Sequence, residues 1–333
     1  MFRLCVIGCG SIAEGFHGPS YKKYRGENPG FQLAACCDIN REKARSFAER
    51  FIFNAFYTDY KEMLEAEKPD AVCVTTPYEI ISSVAVDVMN MGFPVLLEKP
   101  PGSNREETLK IIEAAEKTGL PNQVAFNRRF TPILNELKNT LGSGDFYKSP
   151  YFIRCVFHRV GRKDRDFYTT AIHGIDAVRY LAGSDYDRVR FSYQELPDTA
   201  PGAANIYMDC LMKSGGGAHL SFCPYSGKVI EDFHITRDNN DYYLKMPVWG
   251  SPDYPGGLTH FSGNAPVARI DGGEARFGRD IFEKFGFYDE NAAFFNDLRA
   301  GKKPENDIRS ALQSMEIADC INKRLTEYKA GSV

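Results

Sequence analysis

The first 126 residues alternate short, nearly continuous apolar runs with segments of helical period, and this alternation allows few architectures. The runs are Leu4–Ile7, Leu33–Cys37, Ala71–Thr75, Val95–Leu97 and Gln123–Phe126, and helix-period stretches lie near Ile12–Tyr24, Arg41–Phe51, Glu79–Met91 and Arg105–Thr118. A strand apolar at successive positions is buried on both faces, so strands alternating with helices predict a parallel sheet covered on each side. The last of these helices carries Ser103-x-x-Glu106 as a capping box, a stripe of Leu109, Ile112 and Ala115, and Gly119 as its stop.

After Phe130 the period changes to two. Ile206, Met208, Cys210 and Met212 alternate, Ser214–Gly217 turns, and Ala218, Leu220 and Phe222 alternate again, which predicts an antiparallel hairpin. A second hairpin joins Phe233–Thr236 to Tyr242–Leu244 across Asp238–Asp241. Pro247–Gly263, rich in Gly, Pro and aromatics, reads as a long functional or mobile loop, and two helices near Asn291–Ala300 and Ile308–Tyr328 close the chain. The expected class is α/β, with one domain over residues 1–126 and a second over 127–333 that carries an open, mostly antiparallel sheet. The terminal helices are candidates to pack back on the first domain.

The 333 residues carry 41 Lys and Arg against 44 Asp and Glu, so nothing in the overall charge points to nucleic acid or an anionic membrane. No apolar run has the length of a membrane span. The N-terminus runs directly into a glycine turn without the charged, apolar and small-residue series of an export signal, and a cytoplasmic location is expected. The nine cysteines form no Cys-x-x-Cys pair. Cys5, Cys37 and Cys73 sit in apolar runs as small hydrophobes, and no metal site is indicated.

Chemistry concentrates at a few strand ends. Gly8-Cys9-Gly10-Ser11-Ile12-Ala13 follows the first strand and opens the first helix. There the first Gly permits the turn, the second admits a pyrophosphate, the small Ala lets the helix pack closely, and the N-terminal turn through Ser11 and Ile12 faces the anion. This is the fingerprint of a Rossmann dinucleotide site. Asp38 ends the second strand, where a carboxylate accepts from ribose hydroxyls, which favours NAD; it also suits a cap for the helix near Asn40, and Arg41 is placed to meet a 2′-phosphate, so NADP stays open. Thr75-Thr76-Pro77 ends the next central strand and Glu98-Lys99-Pro100 the one after, both at the carboxyl edge where such sheets bind ligands. Lys99 suits a fixed cation against a substrate hydroxyl, or a base if its pKa is lowered, and equally suits a solvated rim.

In the second half, Thr169, His173, Asp176 and Tyr180 share one stripe of a helix at about 100° per residue, opposite Ala171, Val178 and Ala182. A neutral His there can take a hydroxyl proton while a hydride leaves the same carbon, and Asp176 one turn on can orient it or bind substrate. A plain amphipathic helix with a polar outer face produces the same stripe. Arg159, Arg162, Lys163 and Arg165 precede it, interleaved with Asp164 and Asp166, and read as an anion receiver or a solvated loop. Trp249, Tyr254 and His260 read as a sugar-stacking wall or a subunit contact.

Gly8-x-Gly10-x-x-Ala13, Glu98-Lys99-Pro100, Asn127-Arg128-Arg129-Phe130 and His173-x-x-Asp176, in this order along nearly the whole chain, resemble the glucose–fructose oxidoreductase/inositol dehydrogenase/MocA (Gfo/Idh/MocA) family. The resemblance implies a Rossmann domain, a second domain with an open sheet, and NAD(P)-dependent hydride transfer at a ring hydroxyl or ketone of a sugar, sugar derivative or cyclitol. It implies Lys99 as the catalytic lysine, a cis peptide before Pro100, His173 as acid/base, cofactor contacts from Glu98, and substrate contacts from Lys99, Asn127, Arg128, His173 and Asp176. A homodimer or homotetramer is expected. Two positions depart from the family pattern: Thr169 stands where relatives carry Asp, leaving Tyr168 and Thr169 as the local hydroxyls, and Ile81 stands where many have His. The resemblance also leaves two other readings: a redox-assisted glycoside hydrolase with bound NAD, and a non-enzymatic dinucleotide or sugar sensor.

Overall fold

The computed structural model describes residues 1–142, 150–163 and 167–331. The chain forms two compact units, Met1–Asn127 with Ile281–Leu312, and Arg128–Asp280 with Gln313–Val333.

The first unit runs β1 (Phe2–Ile7), a π-helical turn over Ala13–His17, α1 (Gly18–Glu27), β2 (Phe31–Cys37), α2 (Arg41–Phe51), β3 (Ala55–Tyr57), α3 (Tyr60–Glu67), β4 (Ala71–Val74), α4 (Tyr78–Asn90), β5 (Val95–Glu98), α5 (Arg105–Thr118) and β6 (Asn122–Ala125). All its strand pairs are parallel, in the order β3-β2-β1-β4-β5-β6. The continuous apolar runs have their physical cause here: every residue of β4, β5 and β6 is buried. The pattern missed β3 and α3, because β3 is a three-residue edge strand whose side chains are all half-buried. It also placed the cap of α5 one residue early. Asn104 caps the helix by accepting from the Glu107 N–H at 2.9 Å, while Glu107 accepts from the Ser103 N–H at 2.7 Å. Gly119 ends that helix at φ +67°.

In the second unit, α6 (Pro132–Leu141) was hidden by the change of texture after Phe130; then come β7 (Phe152–His158), α7 (Tyr168–Ala182), β8 (Tyr186–Glu195), β9 (Ala204–Met212), β10 (Gly217–Cys223), β11 (Ile230–Arg237), β12 (Asn240–Lys245), β13 (Gly257–Ser262) and β14 (Ala265–Asp271). The sheet order is β14-β13-β12-β11-β7-β10-β9-β8, with one parallel pair, β7 with β10. Both expected hairpins form. The second closes through a two-residue turn, Asp238 and Asn239, both at positive φ, the type I′ geometry that matches strand twist. Pro247–Gly263 is not one loop: β13 occupies its second half and pairs antiparallel with β12 on one side and β14 on the other.

Segment α8 (Ile281–Lys284), α9 (Phe287–Arg299) and the start of α10 (Ile308–Asn322) belong to the first unit. The last helix stops at Asn322, short of Tyr328, and the chain ends in β15 (Glu327–Lys329), paired antiparallel to β8. In the first unit Phe295 on α9 is fully buried, with Phe2, Tyr21, Tyr24, Phe31 and Phe294 at ring-centroid distances of 4.9–6.2 Å. All nine cysteines are free, and burial pushes the Cys5, Cys37 and Cys73 thiols up to about 12, as expected of packed hydrophobes. Among the described residues no helix is long and apolar enough to cross a membrane. Phe295→Ala removes the centre of the aromatic cluster and is expected to lower the unfolding free energy by about 3–5 kcal/mol, read from denaturant melts.

Candidate functional site

At the carboxyl edge of the parallel sheet, Gly8 leaves β1 with φ +99°, and a Cβ there would lie 2.8 Å from the carbonyl carbon and oxygen of Thr75. Only glycine fits. Thr75 locks the approach from the other side, its hydroxyl donating to the Gly8 carbonyl at 2.7 Å. Gly10, by contrast, has no atom within 4 Å of an added Cβ, so its open side is room for a ligand rather than a packing demand. Ser11 and Ile12 are exposed at the start of the helix, and Ala13 is buried beneath them.

Asp38 sits at the end of β2. One carboxylate oxygen accepts from the Cys9 N–H and the other from the Asn40 N–H, both at 2.9 Å. The helix cap itself is Asn40, which accepts from the Glu42 and Lys43 N–H groups, so Asp38 is not the cap. Arg41 is exposed, its guanidinium lying over the Phe56 ring. The Thr76 hydroxyl is buried without a hydrogen-bond partner, and Pro77 precedes α4. An orphan hydroxyl, a cleared glycine face and a carboxylate at the end of β2 fit a dinucleotide: Gly8, Gly10, Ser11, Ile12 and Ala13 would hold its pyrophosphate, Asp38 a ribose, and Thr75, Thr76 and Pro77 the adjoining edge.

Glu98 and Lys99 close this edge. Lys99 is half-buried and the peptide to Pro100 is cis. Glu98 is buried, and its carboxylate is engaged by His17 Nε2 at 2.8 Å and by the Lys99 N–H at 3.0 Å. His17 carried no signal in the sequence reading, since its partners lie 81 and 274 positions away. Asn127 is buried and donates to the Phe285 carbonyl at 2.9 Å. Ile81 is buried against the core.

In the second unit α7 is buried nearly all round, which overturns the reading of a plain helix with a polar outer face. Asp176, 1% exposed, accepts both arms of Arg129 at 2.7 and 2.6 Å and the Ser314 hydroxyl at 3.0 Å. Its charge is matched inside the unit by this ion pair. Arg128 is likewise committed: Nε and Nη2 donate to Glu231 at 3.0 and 2.6 Å, and Arg159 donates to the same carboxylate. The Nη1 of Arg128 lies 3.4 Å from His173 Nε2. A guanidinium only donates, so this contact favours a lone pair on Nε2, the form a base needs. Tyr168 is buried and Thr169 half-buried in the first turn of α7. Arg162 and Lys163 are exposed, while Asp164, Arg165 and Asp166 lie outside the described residues. Trp249 is 75% exposed, Tyr254 is exposed, and His260 stacks on Tyr242 within the sheet at 4.3 Å.

Burial alone would push the Glu231 carboxyl up, but the Arg128 and Arg159 guanidinia and their hydrogen bonds outweigh it and hold it below its ordinary value. Sequence reasoning missed Glu231, whose only signal was a charge at an inward position of a strand. Among the described residues no group of three or more His, Cys, Asp or Glu side chains is placed to hold a metal ion.

A doubly wound parallel sheet with this glycine turn defines a dinucleotide-binding Rossmann protein. Residues 2–126 match the Gfo/Idh/MocA family model, an oxidoreductase family with an NAD-binding Rossmann fold. Over 206 residues the sequence is 30% identical to an inositol 2-dehydrogenase of Saccharopolyspora erythraea, a match covering 60% of this chain and 59% of that one. The chain spans about half the length of the curated relatives it matches. The fold is that of a Gfo/Idh/MocA oxidoreductase from Vibrio cholerae, with a TM-score of 0.80 over 98% of both chains at 21% identity. It is also that of a UDP-N-acetylglucosamine 3-dehydrogenase from Acidithiobacillus ferrooxidans, with a TM-score of 0.78 over 95% of both chains at 21% identity. The likeness to the Gfo/Idh/MocA oxidoreductase family is carried by the Rossmann part of the chain, residues 2–126.

Two outcomes follow from this geometry. Gly10→Ala is expected to melt like the parent yet lose at least about tenfold in NAD affinity, whereas Gly8→Ala loses stability as well, both measured by calorimetry. Because the folded-state Glu231 carboxyl lies below its unfolded value of 4.5, its contribution is complete above that pH and drains away as pH falls toward the folded value. Glu231→Gln should cost about 3–5 kcal/mol at neutral pH and flatten the acid limb of the stability profile.

Proposed function

We propose that this protein is a dehydrogenase or reductase that moves a hydride between NAD and a ring hydroxyl or ketone of a sugar, sugar derivative or cyclitol. The observation that carries the cofactor half is the Gly8–Ala13 turn with Asp38 at the end of β2, tied to it through the Cys9 N–H. A carboxylate there accepts ribose hydroxyls and repels a 2′-phosphate, which supports NAD over NADP. The substrate class rests on the inositol and nucleotide-sugar dehydrogenases among the relatives.

When bound, the nicotinamide supplies the hydride acceptor or donor. The protein's own task is the proton. We assign Lys99 to polarise the substrate oxygen as a fixed cation, and His173, with Nε2 kept as an acceptor beside Arg128, to take the hydroxyl proton. The open face of the second sheet supports self-association, because Leu211, Gly217 and Phe152 lie in register across three strands and both large side chains are exposed.

The test is turnover of a sugar and cyclitol panel followed at the nicotinamide absorbance. Lys99→Ala and His173→Ala are each expected to lower kcat by about 10²–10⁴-fold while leaving NAD affinity within a few fold. Unchanged turnover in both variants overturns the roles, and glycoside cleavage without net NADH points to the redox-assisted hydrolase instead.

A further inference from the structure

Strand order places the two halves of a dinucleotide on opposite sides of the β1/β4 switch point. Asp38, at the end of β2, belongs to the adenosine side; Glu98, the last residue of β5, belongs to the nicotinamide side. Behind Glu98 runs a buried chain whose direction can be read. The Phe287 carbonyl only accepts, so the Asn291 atom 2.6 Å from it is the amide nitrogen. His17 Nδ1 lies 3.0 Å from that nitrogen and 3.3 Å from Asn291 Oδ1, and the shorter contact, to a group that only donates, assigns Nδ1 as the acceptor. The imidazole proton therefore sits on Nε2 and is donated to Glu98 Oε1 at 2.8 Å. The Lys99 N–H donates to Oε2 at 3.0 Å. Both oxygens of Glu98 thus accept hydrogen bonds from fixed donors. His17 and Asn291 are fully buried, and Glu98 is 9% exposed.

We propose that His17 and Asn291 are positioning residues that hold the Glu98 carboxylate as a fixed negative charge at the nicotinamide end of the crevice, biasing the site toward the oxidised, cationic nicotinamide over the reduced, neutral ring. The inference rests on the dinucleotide reading above. Its physical basis is the distinction between the two ligands: they share every atom of the adenosine and pyrophosphate and differ by one positive charge on the ring. A carboxylate held by buried donors in poorly screened surroundings acts on that difference alone. The Lys99 charge is common to all the variants below and cancels from the comparison.

Dissociation constants of NAD⁺, NADH and ADP-ribose, measured by calorimetry on the purified protein, separate the possibilities. Glu98→Gln keeps the shape and removes the charge. It is expected to shift the Kd ratio about tenfold toward NADH while leaving ADP-ribose, which lacks the nicotinamide, unchanged. His17→Leu removes the donor and leaves the carboxylate to turn away or take up a proton, so it should shift the ratio in the same direction. His17→Gln restores an amide donor near the Nε2 position and should return the ratio to within about twofold of the parent. An unchanged ratio in Glu98→Gln, with ADP-ribose still bound, overturns the proposal, and that variant decides alone if His17→Leu does not fold. Absence of ADP-ribose binding in the unaltered protein overturns the dinucleotide reading itself, and this inference with it.

Discussion

The contact on which the first unit's edge depends is the approach of the Gly8 backbone to Thr75. At φ +99° and with a Cβ excluded at 2.8 Å, β1 turns into its helix directly over the end of β4. The Thr75 hydroxyl ties the two strand ends together. That closeness brings Cys9 within reach of Asp38 and opens the helix N-terminus at Ser11 over the crevice. A side chain at position 8 would separate β1 from β4, and every later feature of the edge would move with it.

Each unit also buries charged side chains that sit in hydrogen-bonded sets. In the second, Glu231 receives two guanidinia and Asp176 a third. These pairs fix Arg128 and Asp176 in place and leave His173 next to a fixed cation. In the first, the Glu98 carboxylate is met by the His17 ring and a backbone amide. Removing one member of such a set costs more than the set contributes, because the remaining charge stays buried alone. Clusters of this kind therefore specify a single arrangement more than they add stability.

Local patterning made most of the first unit legible. Continuous apolar runs reported strands buried on both faces, Gly8-x-Gly10-x-x-Ala13 reported the turn, and α2 and α5 appeared at their observed bounds. Legibility failed where the cause was not local. Strand β3 is too short to show a period, β13 was masked by Gly and Pro in the preceding segment, and the end of α10 was hidden by a strand that forms only against β8. The stripe on α7 was read with the right residues and the wrong surroundings, since periodicity reports which side chains share a face and not what that face meets.

The sequence by itself determined the α/β class, the dinucleotide turn, the acidic end of β2 and the strand that delivers Glu98 and Lys99, because each follows from neighbours a few residues apart. The tertiary structure alone decided which charged groups are engaged. Whether Asp176 meets His173 or Arg129, and whether Glu98 faces solvent or His17, depends on pairings across 47 and 81 positions. Those pairings are chosen when burial makes an unmatched charge too costly to keep, and no local spacing encodes that choice.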